Sequence, residues 1–151
     1  MKYFTHDWWS GLQTGTHDDS PCWQYQDYVK QIEARLTREL LYLEREISLH
    51  DGTVRRLEVA LGAAKLSIEL SADDGKGGLL NVRLLYGKVV SFEAVAPEDY
   101  CRCGPMVGFG HLGYCEVDIV DDAFEHRFLF STGIEFRIVF GEFRLEVLDV
   151  E

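Results

Sequence analysis

A change of hydrophobic period near residue 50 limits what this chain can fold into more than any other feature of it. Between Pro21 and Leu49 the apolar positions Tyr25, Val29, Ile32, Leu36, Leu40, Leu43 and Ile47 recur at spacings of three or four, with no Gly or interior Pro to interrupt them. That is one face of a helix. After His50-Asp51-Gly52 the period drops to 2. Leu57, Val59 and Leu61 alternate with polar or small residues, as do Leu66, Ile68 and Leu70, then Leu80, Val82 and Leu84, then Val90, Phe92 and Ala94. Cys115, Val117 and Ile119, then Phe124, His126, Phe128 and Phe130, then Ile134, Phe136, Ile138 and Phe140, and last Phe143, Leu145 and Val147 repeat the pattern. Alternation of this kind gives strands with one buried and one wet face, and short connections make neighbours antiparallel.

The fold expected is therefore α+β: one long amphipathic helix packed on a mainly antiparallel sheet of about seven or eight strands in meander order. With 151 residues the chain is one domain. Residues 1–20 form an aromatic lead-in, 21–49 the helix, 53–95 and 114–149 the strands, and 96–113 a Gly/Pro/Cys loop. Thr5 is placed to cap a first helical turn and Ser20-Pro21 to start the long helix. Gly52 offers a left-handed stop for it. A helix of that length would run about 43 Å against about 26 Å for an eight-residue strand, so it must overhang the sheet or bend. The Trp23–Tyr28 end is expected to meet Trp8 and Trp9.

Net charge is −11, from 26 acidic and 15 basic residues. Such a surface repels phosphate backbones, which excludes nucleic acid as a partner, and can steer a basic protein toward it. No apolar run approaches the roughly 20 residues of a membrane span, and the opening residues lack the apolar core of a secretory signal. Sparse, irregular cysteines point to a reducing, cytoplasmic compartment. Nothing in the sequence sets an oligomeric state.

Met1-Lys-Tyr-Phe-Thr5, the tryptophans that follow, the Leu49-His50-Asp51 junction and the ending Tyr114-Cys-Glu116-Val with Phe124-Glu-His-Arg-Phe-Leu-Phe130 are similar to a bacterial family of uncharacterised proteins that begin Met-Lys-Tyr-Phe-Thr. The resemblance implies a bacterial cytosolic protein and implies no activity.

Three groups of residues are candidates for chemistry. Cys101, Cys103, His111 and Cys115 offer a Cys₃His donor set for zinc among flanking glycines. Against it, a single residue separates Cys101 from Cys103 where structural zinc sites use two to four, and Cys115 is in phase with Val117 and Ile119, which turns it inward as a small hydrophobe. A connector with incidental thiols is the plainer reading. The pairs His6-Asp7, His17-Asp18 and His50-Asp51 suggest a metal-dependent hydrolase, although each also reads as a local cap or polar turn. Trp8, Trp9, Trp23, Tyr25 and Tyr28 could line a ligand pocket or an interface, and helical spacing favours a core role. No P-loop, Gly-x-Ser-x-Gly or His-Glu-x-x-His is present. The expectation is an acidic, non-catalytic binding or interaction module, with a zinc-stabilised domain built on the 101–115 loop as the alternative.

Overall fold

The computed structural model describes residues 1–98 and 108–148. Helix α1 (His6–Gln13) is capped by Thr5, whose side chain accepts from Trp8 N–H at 3.2 Å. It runs through Gly11 and stops at Gly15, whose φ is +94°. Helix α2 (Ser20–Ile32) begins with Pro21 in its first turn and continues as a 3₁₀ turn, Glu33–Arg35. Helix α3 (Arg38–Glu46) follows.

The single helix over 21–49 is therefore corrected to two. Leu36 leaves the helix for an extended conformation (φ −78°, ψ 150°), and Thr37 starts the next by accepting from Leu40 N–H at 3.3 Å. The side-chain cap competes with helix continuation at that point. The apolar stripe is unaffected: Tyr25, Ile32, Leu36, Leu40, Leu43 and Ile47 are all buried. A straight rod about 43 Å long could not keep that stripe on a core this small, and the break lets both halves follow it.

The strands are β1 (Val54–Ala60), β2 (Lys65–Asp73), β3 (Leu79–Gly87), β4 (Ser91–Val95), β5 (Leu112–Val120), β6 (Ala123–Phe130), β7 (Glu135–Phe140) and β8 (Glu142–Leu148). They form two four-stranded antiparallel sheets, ordered β1-β2-β3-β8 and β4-β7-β6-β5, in place of one meander. The chain changes sheet at two adjacent corners. Lys88 takes a φ of +51° after β3, and Gly141 alone joins β7 to β8. Gly141 N–H donates to the carbonyls of Gly87 at 3.1 Å and Lys88 at 3.2 Å, pinning the corners together. Strands that switch sheets at such bends are how two sheets share one core.

The inward faces carry Leu66, Ile68, Leu70, Val82, Leu84 and Tyr86 from the first sheet, and Val117, Phe128, Phe130, Phe136, Ile138 and Phe140 from the second. Helix α3 lies along the edge strand β8, and α2 along the edge strand β5. The helices thus reach an edge strand of each sheet rather than covering one face. No helix of the described residues is long and apolar enough to cross a membrane.

A further correction concerns the wet face of the second sheet. Glu116, Asp118, Glu125 and Arg127 point away from the core, yet all are buried. Residues 1–4 lie across them. At the β1 entry, Asp51 and not Gly52 adopts positive φ (+61°). Gly52 is required for space, because a Cβ there would collide with the carbonyl oxygens of Ser71 and Leu49.

Candidate functional site

Two polar assemblies meet on β5. The first is the buried ion cluster under the N-terminal strap. Both Glu116 carboxylate oxygens accept strap amides: Oε1 from Tyr3 N–H at 2.7 Å and Phe4 N–H at 2.8 Å, Oε2 from Lys2 N–H at 2.8 Å. Arg127 Nη1 donates to Glu116 Oε2 at 3.3 Å and Nη2 to Asp118 Oδ2 at 3.1 Å, and it also pairs with Glu125. Arg137 Nε holds the other Glu125 oxygen at 2.5 Å. Asp118 is bound further by Lys2 and by the Tyr28 hydroxyl. Burial pushes the Asp118 carboxyl up, and the Lys2 ammonium, the Tyr28 hydroxyl and the Ile119 amide together bring it below the ordinary value. Burial and the Asp118 charge push the Tyr28 phenol up to about 12. Every charge here has a partner of opposite sign, which is the arrangement of a structural clasp.

The second assembly lies where α3 meets β5. Tyr25 fills the edge of the sheet: its hydroxyl accepts from Val117 N–H at 2.7 Å and donates to Glu44 Oε2 at 2.9 Å. It therefore satisfies an edge amide that would otherwise be open. Glu44 gains only this neutral partner, and among the described residues no basic side chain pairs with it. Burial, helped by the nearby Glu116 charge and opposed by the Tyr25 hydrogen bond, raises its carboxyl to about 7. Cys115 lies beside it on the inward side of β5, and His126 stands on β6 in register with Val117. One donor atom each from Glu44, Cys115 and His126 lies within 4.8 Å of the other two. His126 is fully buried, is 2.9 Å from the Tyr86 hydroxyl through Nδ1, and has no partner at Nε2. Burial lowers its basicity to about 3 and pushes the Cys115 thiol well above its ordinary value.

A cavity of about 180 Å³ opens onto Glu44 and Cys115. Its apolar walls are Leu43, Ile47 and Leu112, its aromatic walls His50 and Tyr114, and Glu44 and Cys115 reach it from the protein side. Tyr114 is the centre of an aromatic cluster. Phe4 stacks on it at 4.9 Å between ring centroids, and Trp8, Trp9 and His50 meet it edge-on at 5.0, 5.6 and 5.4 Å.

No family model matches the chain, and no curated protein matches it. A solved structure does. The crystal structure of an uncharacterized protein from Neisseria gonorrhoeae superposes with a TM-score of 0.50 at 13% identity, covering 68% of this chain and 97% of that one. At that identity the likeness is one of fold alone.

Of the aromatic residues singled out by sequence, Tyr25 is buried, Tyr28 half-buried and Trp23 64% exposed, apart from the cluster. Trp8 and Trp9 are both half-buried, because Tyr114 offers its ring to each. Cys101 and Cys103 lie outside the described residues. His111 is exposed, 3.4 Å from Thr53 Oγ1, and stands four residues of extended chain from Cys115. That is about 13 Å, farther than two ligands of one ion. His17 and His50 sit on the surface, 3.2 Å from Asp19 and 3.1 Å from Asp51. The three His-Asp pairs do not assemble into a donor group; among the described residues the one group of three such ligands is Glu44, Cys115 and His126.

Glu44 lies off the apolar helical stripe, and His126 lies in the alternating run from Phe124 to Phe130. The signal for His126 was present in its phase with Phe124 and Phe128. For Glu44 there was only its place next to Leu43, at the margin of the stripe. The strap clasp had a fainter one: the acids Glu116, Asp118 and Glu125 on consecutive strands surround Arg127, the one base among them.

Proposed function

We propose that this protein is a non-catalytic binding module of the bacterial cytoplasm that takes a basic group of a partner protein, such as a lysine ammonium, into the cavity beside Glu44. The observation that carries the reading is a carboxyl group set in a mostly apolar cavity with no cation of the described residues beside it. A volume of about 180 Å³ holds roughly six water-sized groups, the scale of a lysine side chain. Tyr114 and His50 supply aromatic faces against which an alkylammonium packs. A net charge of −11 draws basic partners toward the surface.

The neighbouring groups argue against nucleophilic catalysis. Burial holds the Cys115 thiol in its protonated form, and the thiolate is the nucleophile. His126 is neutral, with Nδ1 engaged by Tyr86. The unpaired thiols of Cys22 and Cys115 suit a reducing compartment.

The test is a titration of isotope-labelled protein with butylammonium and with lysine-containing peptides, followed at the amides of Leu112 to Cys115. Butylammonium should shift these amides, neutral butanol should shift them far less, and Glu44→Gln should remove the difference. Equal responses to the charged and the neutral probe would overturn the reading.

A further inference from the structure

We infer that Glu44, Cys115 and His126 form a binding site for a zinc-type divalent ion, which shares only Cys115 with the set Cys101, Cys103, His111 and Cys115. The donor set is one carboxylate oxygen, one thiolate sulfur and one imidazole nitrogen, the mixture that suits zinc and its neighbours in the first transition row. The three donor atoms come from three separate elements, α3, β5 and β6, and already lie within 4.8 Å of one another. Bond lengths of about 2.0–2.3 Å put donors around a tetrahedral ion roughly 3.3–3.8 Å apart. No pair therefore has to close by more than about 1.5 Å.

The second observation is His126 itself, a fully buried imidazole whose Nε2 has no hydrogen-bond partner. With the proton on Nδ1 donated to the Tyr86 hydroxyl, 2.9 Å away, the Nε2 lone pair is bare. A ligating histidine is held in just this way, by a hydrogen bond through its other nitrogen. Glu44 is supported likewise: Tyr25 binds Oε2 at 2.9 Å and leaves Oε1 free. An unpaired buried donor or acceptor is costly and uncommon, and a cation held by Glu44 and Cys115 would give His126 Nε2 the partner it lacks among the described residues. Binding replaces the S–H bond of Cys115 by a metal–sulfur bond and releases its proton to water, as it does any proton on Glu44. Glu44 and Cys115 both line the cavity, which gives an ion a path to them from solvent.

The inference does not depend on the basic-group reading. An ion with a thiolate and a carboxylate is a neutral unit, so ion and ammonium are alternative occupants, and either can fail alone.

The experiment uses full-length protein stripped with chelator and titrated with Co²⁺ as a spectroscopic probe, then with Zn²⁺ in competition. One equivalent of Co²⁺ should give a thiolate-to-metal charge-transfer band that Zn²⁺ abolishes. Cys115→Ser should lose that band while keeping the wild-type circular dichroism, and Glu44→Gln should weaken Co²⁺ binding at least tenfold. A variant with Cys22, Cys101 and Cys103 all changed to Ser should retain the band. No band in folded wild-type protein at saturating Co²⁺ would overturn the inference. So would a band that survives Cys115→Ser, or one lost with Cys101 and Cys103.

Discussion

Glu44 and His126 should make the stability of the metal-free protein nearly independent of pH between about 4.5 and 6.5, and replacing Glu44 should expose the opposing slopes. Burial raises the Glu44 carboxyl from 4.5 to about 7. The folded state therefore holds this proton more tightly than the unfolded chain. The stability it confers is full below pH 4.5 and is lost as pH rises toward 7, about 3 kcal/mol in all. Burial lowers His126 from 6.5 to about 3. Its contribution is full above pH 6.5 and is lost as pH falls toward 3, about 5 kcal/mol in all. In the overlap each group changes stability by about 1.4 kcal/mol per pH unit, with opposite sign. Glu44→Gln keeps an oxygen for the Tyr25 hydroxyl and removes the titration. Its stability should fall by about 2–3 kcal/mol from pH 6.5 to 4.5, where the wild type stays level. Above pH 7 the variant should be the more stable by up to about 3 kcal/mol, since a buried carboxylate no longer has to be ionised. Urea unfolding followed by tryptophan fluorescence in chelator, at half-unit pH steps, measures both curves. Parallel curves for the two proteins would refute the reasoning, because they would mean that Glu44 titrates alike folded and unfolded.

Tyr25→Phe strands the Val117 amide at the edge of β5 and should cost about 1–3 kcal/mol in the same assay; a neutral substitution would mean that the edge amide finds another partner. Glu116→Ala removes the acceptor of three strap amides and leaves Arg127 short of a counter-charge. A loss of about 3–5 kcal/mol is expected, with faster hydrogen exchange at Tyr3 and Phe4; unchanged exchange there would show that the strap is held by its side chains alone. Gly113→Ala drives a methyl group into the Trp9 ring. It should cost about 1–3 kcal/mol and alter the near-ultraviolet circular dichroism, whereas an unaltered spectrum would mean that Trp9 does not pack on β5.

Much of the local structure was readable in one dimension because its causes are local. Thr5 caps α1 as its residue type and place require, and the stripe from Tyr25 to Ile47 is buried even though the helix breaks at Leu36 and Thr37. The stripe records which side of the chain meets the core, and that survives a change of axis. The phase of Cys115 with Val117 turned it inward, as the structure has it. What could not be read were events that depend on a distant partner. Glu44 looks solvated on a helix wheel and becomes a cavity carboxyl because β5 runs beside α3. Arg127 looks like a wet-face residue and is buried because residues 1–4 cross the sheet above it.

The α+β class, the antiparallel alternation, the inward set of side chains and the strongly acidic balance follow from the order of residues, since propensity, period and charge are properties of short segments. Tertiary contacts set the division of the strands into two sheets at the Lys88 and Gly141 corners, and the placement of α3 along β8 and α2 along β5. They also brought Glu44, Cys115 and His126 within 4.8 Å of one another. Alternation says which face a side chain takes and is silent on which strand lies next to it. A site drawn from three separate elements exists only once that pairing has been made.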